Sequence, residues 1–560
     1  MKHNILILLL PLIVWGCANR IQPTGGPRDE EPPRVVASNP EHGARNYQAK
    51  EVVIEFDEFI TVKNLKEQLL ITPRIDGNYE FKIRKRTISL EFEQPFEDST
   101  TYTLNFREAI VDITEGNPAK NMLLAFSTGN LLDTLEISGV LIDLLTRAPI
   151  ESAIVGLYPV DDTLDIFSGP PYYFTQTNDQ GHYLLSNIKD GSYRLYAFTD
   201  GNKNLTCESD REGYAFKSQS IQLDTAYYAD TLNLQYLNID TLKVIRTRAS
   251  GRYFNVFANK YITHAKLKAE NDSTIIFKYT EDHRGLKLYN TFPISDSLNV
   301  WVELQDSLGL IAKDSFYLKF TDSGRSPDEF KATITSTSTS PKKKILSGEI
   351  TFDKPLQTLT LDSIVIKRDS LENYYIYNSL AYEIDTLENI LTFNIDIPTA
   401  ILDSINNIGG KSIKSLDDLR PKAESKAVYT LSIPQAAFIS IENDSSLELN
   451  SKLKFIKPAL TGLINGSIST GYNSFTVQLL NKNMEVVKEH YNGKKYTFDE
   501  VLPGEYFIRI FVDENENGVW DMAEIRNNIQ AEKVILYKDE TGTSKTVIRA
   551  NWEVTIDLSF

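Results

Sequence analysis

Short runs in which apolar and polar residues alternate recur along most of the chain. Residues 52–56 and 300–304 are two such runs, and turn-forming Gly, Pro, Asn and Asp residues separate runs of this kind. Successive side chains of a β-strand point to opposite faces of a sheet, so a period of two indicates half-buried strands. Helical patterns are confined to residues 64–70 and 399–408. The sequence therefore predicts an all-β protein.

The length of the chain sets the expected number of domains. A chain of 560 residues exceeds what one hydrophobic core supports, and its 41% apolar residues can fill several cores. We therefore expect about four or five β-sandwich domains in tandem. Beyond residue 17, no segment is apolar enough to predict a membrane-spanning helix.

The first seventeen residues have the pattern of an export signal. A short basic start precedes an apolar stretch, residues 5–15, which is too short to span a bilayer as a helix. Gly16 and Cys17 follow it. This ending resembles the lipobox of bacterial lipoproteins, although Trp15 is bulkier than the usual occupant. The resemblance implies a lipoprotein signal peptide at 1–16 and lipidation of Cys17; the alternative is an ordinary signal peptide followed by an incidental cysteine.

Residues 17–31 are rich in Pro, Gly and charged residues and predict a flexible tether. No acidic cluster follows Cys17. In Bacteroidetes-type lipoproteins, which the signal resembles, such a cluster tends to mark export to the cell surface. The resemblance therefore implies a lipid anchor in the outer membrane, and it favours the periplasmic face over the cell surface.

Residues 32–130 form the first predicted domain. Turn residues such as Asn39-Pro40 and Gly116 separate its strand patterns, and a strand at residues 123–128 ends it. This order resembles the bacterial Ig-like domain of S-layer and other surface proteins. The matching positions are turns and strands, so the resemblance implies a β-sandwich fold and no particular chemistry.

Residues 132–237 and 458–560 are predicted to be two copies of one domain. The strand and turn order of the first copy resembles the transthyretin-like, carboxypeptidase-regulatory-like domain, which implies a spacing or docking role. Residues 183–204 align without gaps on residues 496–517. The identical positions are Tyr183, Gly191, Tyr193, Phe198, Asp200, Asn202 and Asn204, which match Tyr496, Gly504, Tyr506, Phe511, Asp513, Asn515 and Asn517.

Further strand patterns fill residues 238–457, between the two copies. A run of Ser and Thr from Thr333 to Ser340 suggests a break near residue 335. We therefore predict a β-sandwich of unknown type at 238–335 and another at 336–457, with an Ig-like fold as one candidate for the latter.

One loop of the last domain has the spacing of a twelve-residue calcium site. Side-chain oxygens stand at positions one, three, five, nine and twelve, a backbone carbonyl stands at seven, and Gly518 allows the turn at six. The alternative is a turn rich in Asn and Asp that needs no metal. The copy in the second domain, with Glu208 at nine and Arg211 at twelve, is a weaker candidate. The predicted Ca²⁺ ligands are Asp513, Asn515, Asn517, Val519, Asp521 and Glu524.

Composition narrows the range of partners. The chain has 76 acidic and 59 basic residues, and its formal net charge of −17 argues against a nucleic-acid partner while being compatible with cation binding. Cys17 and Cys207 are its two cysteines, so lipidation of Cys17 would leave Cys207 without an intrachain disulfide partner. The six histidines lack the spacing of a helical metal pair.

A tripeptide of Asp, then Ser or Thr, then an apolar residue recurs along the chain. It resembles the O-glycosylation sequon of Bacteroidetes-type periplasmic and surface proteins. Equally, Asp-Ser and Asp-Thr are ordinary turn formers that precede strands. Examples begin at Asp133, Asp162, Asp230, Asp240, Asp296, Asp306, Asp362, Asp385 and Asp403.

The sequence contains no nucleophile elbow, phosphate loop, dinucleotide fingerprint or zincin helix. We therefore predict a non-catalytic, membrane-anchored lipoprotein that is a structural or protein-interaction module of the cell envelope, built as a rod with the calcium loop far from the anchor. The alternative is a carbohydrate-binding component of a glycan-uptake system, with Tyr172, Tyr173 and Phe174 as the sugar platform. An enzyme would have to reside in residues 238–457.

Overall fold

Strands account for almost all of the regular structure. Within the described residues there are 44 strands, and the α-helices α1 (Leu65–Gln68) and α2 (Thr399–Asn407) lie where the sequence predicts helices. Five hydrophobic clusters follow one another along the chain and fill five groups of strands, called the first to fifth domains. The prediction of tandem β-sandwiches is confirmed. The computed structural model describes residues 29–120, 122–229, 231–291, 297–321, 328–340, 342–369, 372–376, 379–407, 428–455 and 461–560.

The first domain is a two-sheet sandwich. Its strands are β1 (Val35–Asn39), β2 (Glu51–Phe56), β3 (Ile60–Val62), β4 (Leu70–Thr72), β5 (Tyr79–Arg84), β6 (Thr87–Phe92), β7 (Thr101–Asn105), β8 (Ile110–Asp112) and β9 (Leu123–Ser127). One sheet has the order β1-β2-β6-β5 and the other β4-β7-β9, while β3 pairs with β8. Buried Ile54, Leu90 and Phe126 fill the space between the sheets.

The second domain has parallel as well as antiparallel pairs. Its strands are β10 (Leu135–Asp143), β11 (Ile154–Pro159), β12 (Tyr173–Gln176), β13 (His182–Ile188), β14 (Gly191–Phe198), β15 (Tyr214–Phe216), β16 (Ile221–Leu223), β17 (Tyr227–Tyr228) and β18 (Leu232–Leu234). One sheet is β13-β10-β17, with β18 also parallel to β10, and the other is β12-β11-β14-β15, with β16 on β14.

The third domain is built from two antiparallel sheets. Its strands are β19 (Val244–Ser250), β20 (Tyr253–Ala258), β21 (His264–Ala269), β22 (Phe277–Tyr279), β23 (Gly285–Tyr289), β24 (Leu298–Gln305) and β25 (Ile311–Leu318). The sheet β19-β20-β23-β22 packs on the sheet β21-β24-β25. Residues such as Val300, Val302 and Leu304 point inward, so their neighbours along β24 point outward.

The fourth domain begins earlier than expected. Its strands are β26 (Ala332–Ser340), β27 (Ile345–Phe352), β28 (Leu356–Leu359), β29 (Val365–Arg368), β30 (Glu372–Tyr375), β31 (Leu380–Asp385), β32 (Ile390–Asp396), β33 (Tyr429–Ile433), β34 (Phe438–Ser440) and β35 (Leu449–Leu453). The sheets are β26-β27-β32-β31, β30-β29-β33-β35 and β28-β34. The break expected near residue 335 is wrong, because the Ser/Thr run forms β26 and pairs with β27; β-branched Thr favours extended backbone.

The fifth domain has the same strand order as the second. Its strands are β36 (Gly462–Ser469), β37 (Phe475–Asn481), β38 (Val486–Tyr491), β39 (Lys495–Val501), β40 (Gly504–Val512), β41 (Val534–Leu536), β42 (Thr546–Ile548), β43 (Glu553–Thr555) and β44 (Leu558–Ser559). One sheet is β39-β36-β43, with β44 also parallel to β36, and the other is β38-β37-β40-β41, with β42 on β40. The internal repeat therefore extends over the whole domain.

Contacts join successive domains and also join the fifth domain to the second. Gln235 of the second domain is hydrogen bonded to the backbone of Ala523 in the fifth, and apolar side chains of both domains share one buried cluster. The chain therefore doubles back, and the expected rod with the fifth domain at its far end is wrong. Contacts between successive domains include Arg74 with Pro170, Tyr253 with Glu442, and Ser340 with Glu500.

Candidate functional site

The calcium-type loop connects β40 with β41 and is organised around Asp513. The Asp513 carboxylate accepts hydrogen bonds from the backbone N–H groups of Asn517 (3.1 Å) and Gly518 (2.9 Å) and from the Ser474 hydroxyl (2.8 Å). Burial raises the pKa of Asp513, but these hydrogen bonds lower it by more, so the pKa lies below its ordinary value. Gly518 has a φ of +88°, which disfavours residues with a Cβ.

Two asparagines and a second aspartate complete the loop. The side-chain oxygen of Asn515 accepts the N–H of Asn517 (2.9 Å), and that of Asn517 accepts the N–H of Val519 (2.8 Å). Both amide NH₂ groups donate to the same Asp521 oxygen, at 2.8 Å each. The side chains of Asp513, Asn515, Asn517 and Asp521 thus belong to one hydrogen-bonded loop, whereas the Val519 side chain is exposed.

Glu524 and Glu532 depart from the predicted ligand set. Glu524 lies in the part of the loop that follows Asp521, and its carboxylate accepts a hydrogen bond from the side chain of Asn527 at 2.8 Å. Glu532 is buried, and its carboxylate accepts the backbone N–H groups of Glu514 (2.9 Å), Asn515 (3.1 Å) and Asp521 (2.9 Å). Sequence reasoning missed Glu532 because it lies outside the twelve-residue pattern.

The loop between β14 and β15 in the second domain repeats this arrangement. Asp200 accepts the backbone N–H groups of Asn204 and Leu205, at 3.0 Å each. The amides of Asn202 and Asn204 donate to Glu208, at 3.1 and 2.6 Å. Leu205 has a φ of +60° at the position of the glycine. Glu208 takes the place of the second aspartate.

Glu212 is the counterpart of Glu532 in the second domain. A glutamate that follows the loop in both repeats is the sequence signal that could have revealed Glu532. Glu212 is buried and accepts the backbone N–H groups of Gly201 (2.7 Å) and Glu208 (2.9 Å), at the two equivalent loop positions. Burial raises the pKa of Glu212, whereas hydrogen bonds from Asn204 and Glu212 hold the pKa of Glu208 below its ordinary value. The two carboxyls therefore shift in opposite directions.

The two loops differ mainly in length. Glu208 and Glu212 stand four positions apart, whereas Asp521 and Glu532 stand eleven apart, so the loop of the fifth domain is longer by seven residues. The stretch between Asp521 and Glu532, residues 522–531, is called the inserted segment. A 3-10 turn at Ile525–Asn527 shapes its middle.

The inserted segment docks on the second domain. Gln235 is only 3% exposed; its amide donates to the Ala523 carbonyl (2.7 Å) and its side-chain oxygen accepts the Ala523 N–H (2.9 Å). Gln530 donates to the carbonyl of Phe216 at 2.9 Å. Ile525 packs into the apolar cluster shared by both domains. The extra residues of the loop therefore tie the two repeats together.

A cleft of about 860 Å³ lies beside this junction. Cys207 lines it but is buried, and burial together with Glu212 raises the pKa of its thiol, so the thiol stays protonated at neutral pH. No histidine lines the described walls of the cleft, so Cys207 has no imidazole base beside it there. The charged residues of the cleft are Asp165, Arg194, Glu208, Asp210, Lys217, Asp240 and Arg526.

The fit of the loop to Ca²⁺ depends on its asparagines. Within the described ranges there is no group of three or more His, Cys, Asp and Glu side chains that could hold a metal. The loop of the fifth domain does bring together the carboxylates of Asp513 and Asp521 and the side-chain amides of two asparagines. The amide NH₂ groups now face Asp521, and a half-turn of each amide would present its oxygen, a Ca²⁺ ligand, on that side instead. Glu524 does not join them in this arrangement.

The aromatic run at residues 172–174 is not an exposed platform. Tyr173 and Phe174 are buried, and the hydroxyl of Tyr172 donates to Glu97 of the first domain at 3.0 Å. The rings therefore pack within the second domain and against the first. The sugar platform predicted at Tyr172 to Phe174 is wrong.

Several Asp-Ser/Thr tripeptides form turns. In three of them the Asp carboxylate accepts the backbone N–H of the residue two positions later, at 2.9 to 3.0 Å. This geometry is what the turn interpretation predicts at these positions. Glycosylation of the serines and threonines stays a prediction. The three pairs are Asp162 with Leu164, Asp306 with Leu308, and Asp385 with Leu387.

Comparisons with known proteins identify the first domain. The chain is similar to the solved structure of the major pilin subunit BcpA of Bacillus cereus, with 10% identity, coverage of 76% of this chain and 99% of that chain, and a TM-score of 0.11. It is also similar to a streptococcal ancillary pilin, with 14% identity, coverage of 44% of this chain and 78% of that chain, and a TM-score of 0.16. A third similar structure is that of domains 1–6 of the surface layer protein SbsC, with 9% identity, coverage of 92% of this chain and 67% of that chain, and a TM-score of 0.16. These TM-scores are too low to support an argument. No curated protein matches the sequence. Residues 29–128 match the family described as bacterial Ig-like domain, so the domain predicted at residues 32–130 is confirmed.

Proposed function

We propose that the chain is a non-catalytic lipoprotein held at the outer membrane by lipid on Cys17. Its domains face the periplasm and act as a structural or protein-interaction module of the cell envelope, with another envelope protein as partner. Residues 1–16 and Cys17 lie outside the described residues. The bacterial Ig-like domain near the anchored end is in keeping with an envelope location.

The docking of the inserted segment is the observation that carries this proposal. It joins the second and fifth domains through Gln235 and a shared apolar cluster, as expected for a protein whose task is to hold modules in a defined arrangement. The cleft beside the junction offers a protonated Cys207 and charged side chains of both signs.

Membrane fractionation tests the anchor. We expect the wild-type protein in the outer-membrane fraction and Cys17→Ser outside that fraction, because the substitution removes the site of lipid attachment. Cys207→Ser is the matched control, since it removes the other cysteine and leaves the anchor. Equal distribution of all three proteins would contradict the anchor.

Crosslinking in intact cells followed by mass spectrometry tests the proposed interaction with another envelope protein. Recovery of no envelope protein would contradict that interaction.

We further propose that the loop of the fifth domain binds Ca²⁺ through Asp513, Asn515, Asn517, Asp521 and the Val519 carbonyl. The support is the clustering of two carboxylates and two amides on a tight turn. Glu524 is part of the predicted set but would have to leave its contact with a neighbouring asparagine to join.

A melting experiment tests the calcium proposal. Excess Ca²⁺ should raise the melting temperature of the wild-type chain, because a ligand that binds the folded state stabilises it. Asp513→Ala should abolish the shift. Asp539→Ala is the control, because Asp539 caps another turn of the same domain through Thr541 and Thr543. No shift in the wild-type protein would remove the metal from the proposal.

A further inference from the structure

The outer face of the sheet β21-β24-β25 carries two exposed aromatic rings. Trp301 on β24 is 46% exposed and Tyr317 on β25 is 72% exposed. Trp301 stands opposite Ser315 in the strand register, two positions from Tyr317 along β25. Diagonal neighbours of this kind are about 7–8 Å apart, so the two residues lie close together on the same face of the sheet, on adjacent strands.

These rings differ from the aromatic rings of the other sheet in the same domain. There, the Lys287 ammonium lies 3.7 Å from the ring centre of Tyr253, and the Arg246 guanidinium lies 4.5 Å from that of Phe257. Among the contacts of the described residues, no cation and no second ring covers Trp301 or Tyr317. Large exposed rings of this type are characteristic of binding surfaces.

Basic residues surround the two rings. Lys268 stands opposite Trp301, and the next row holds Lys266, Glu303 and Lys313 side by side. The Lys313 ammonium is 2.9 Å from the Glu303 carboxylate, which leaves Lys266 and Lys268 as the excess positive charge. This face is therefore positive on a chain whose net charge is −17.

We propose that this face binds an anionic polysaccharide. The apolar C–H faces of successive sugar rings stack on Trp301 and Tyr317, and acidic groups of the sugar pair with Lys266 and Lys268. Most of the remaining outward positions are polar, including Asn299, Gln305 and Ser315, and Ile311 at the far edge is the apolar exception. The core of a protein–protein interface is by contrast depleted in charged residues. The proposal concerns a different surface from the anchor and the loops, and it does not depend on them.

Affinity electrophoresis of the full chain tests this proposal. We expect retarded migration in gels containing polygalacturonate, alginate or hyaluronate, and no retardation in dextran, which is neutral, or in polyglutamate, which is an acidic polypeptide. Trp301→Ala should weaken binding about tenfold and Tyr317→Ala about threefold, because each removes a stacking surface. Lys266→Gln with Lys268→Gln should weaken binding and flatten its dependence on salt.

Trp552→Ala is the matched control. Trp552 is 45% exposed, nearly the same as Trp301, but the Arg549 guanidinium covers its ring at 4.7 Å. The Trp552→Ala variant should therefore bind the polysaccharides as the wild-type chain does. The proposal is overturned if none of the three acidic polysaccharides retards the wild-type chain, if Trp552→Ala weakens binding as much as Trp301→Ala, or if dextran or polyglutamate binds equally well.

Discussion

The loops that follow β14 and β40 share their hydrogen bonds and differ in their neighbours. In both, an aspartate accepts two backbone N–H groups, two asparagine amides donate to one carboxylate, and a buried glutamate closes the loop. The loop of the second domain meets the first domain through the exposed ion pair of Lys203 with Glu67, and its Leu205 and Cys207 belong to the apolar cluster that also holds Ala523. The loop of the fifth domain meets the second domain through the buried contacts of Gln235.

This difference separates what shapes the loop from what attaches it. The carboxylate network occurs with and without the inserted segment, so it determines the local conformation by itself. The attachment of the fifth domain to the second follows from the seven extra residues of the loop. They bring the backbone of Ala523 and the side chain of Ile525 into contact with the second domain. Buried hydrogen bonds contribute more than an exposed ion pair such as that of Lys203, because solvent screens the latter.

The largest effect is expected from removing the buried glutamates. Glu532→Ala should lower the free energy of unfolding of the fifth domain by about 3 kcal/mol, because three backbone N–H groups lose their acceptor. Glu212→Ala should cost the second domain about 2 kcal/mol, because two N–H groups are affected. Urea unfolding followed by hydrogen exchange in each domain measures both. Losses near zero would show that these carboxylates do not hold the loops.

The attachment of the fifth domain should respond to Gln235. Gln235→Ala leaves the N–H and the carbonyl of Ala523 without partners, at a cost of about 2 kcal/mol to docking. Hydrogen exchange of residues 522–531 should become faster while the strands of both domains stay protected. Gln222→Ala is the control, because Gln222 is exposed and bonds only Ser192 among the described contacts. Unchanged exchange in the inserted segment would assign docking to the apolar cluster and to the hydrogen bond of Gln530 with Phe216.

A smaller effect is expected at the turn of the calcium-type loop. Gly518→Ala should cost about 1 kcal/mol, because a Cβ at φ +88° is strained although it would meet no atom within 4 Å. Gly471→Ala is the matched control: its Cβ would also meet nothing, and its φ is not in the strained range. Urea unfolding followed by hydrogen exchange in the fifth domain compares them. Equal stability of the two variants would show that φ at Gly518 carries no cost.

Local features of the sequence were predictable and the interdomain contacts were not. Alternation along β2 and β24, both helices and the repeat of Asp200 at Asp513 depend on neighbouring residues, which sequence patterns report. Glu532 escaped because the inserted segment displaces it from the twelve-residue pattern. The docking of Ala523 on Gln235 escaped because backbone groups separated by 288 positions leave no side-chain signature.

The smallest predicted effect is a difference in pH dependence between the two loops. The pKa of Asp513 is below its ordinary 3.8, so its stabilising contribution is complete above that value and is lost as the pH falls below it. The pKa of Glu212 is above its ordinary 4.5, so its contribution is complete below that value and is lost as the pH rises above it. From pH 6 to pH 3, the stability advantage of the wild-type chain over Asp513→Asn should shrink and its advantage over Glu212→Gln should grow. Hydrogen exchange in each domain measures both stability differences. If the two differences change in the same direction with pH, the two loops do not differ in their electrostatics despite their similar geometry.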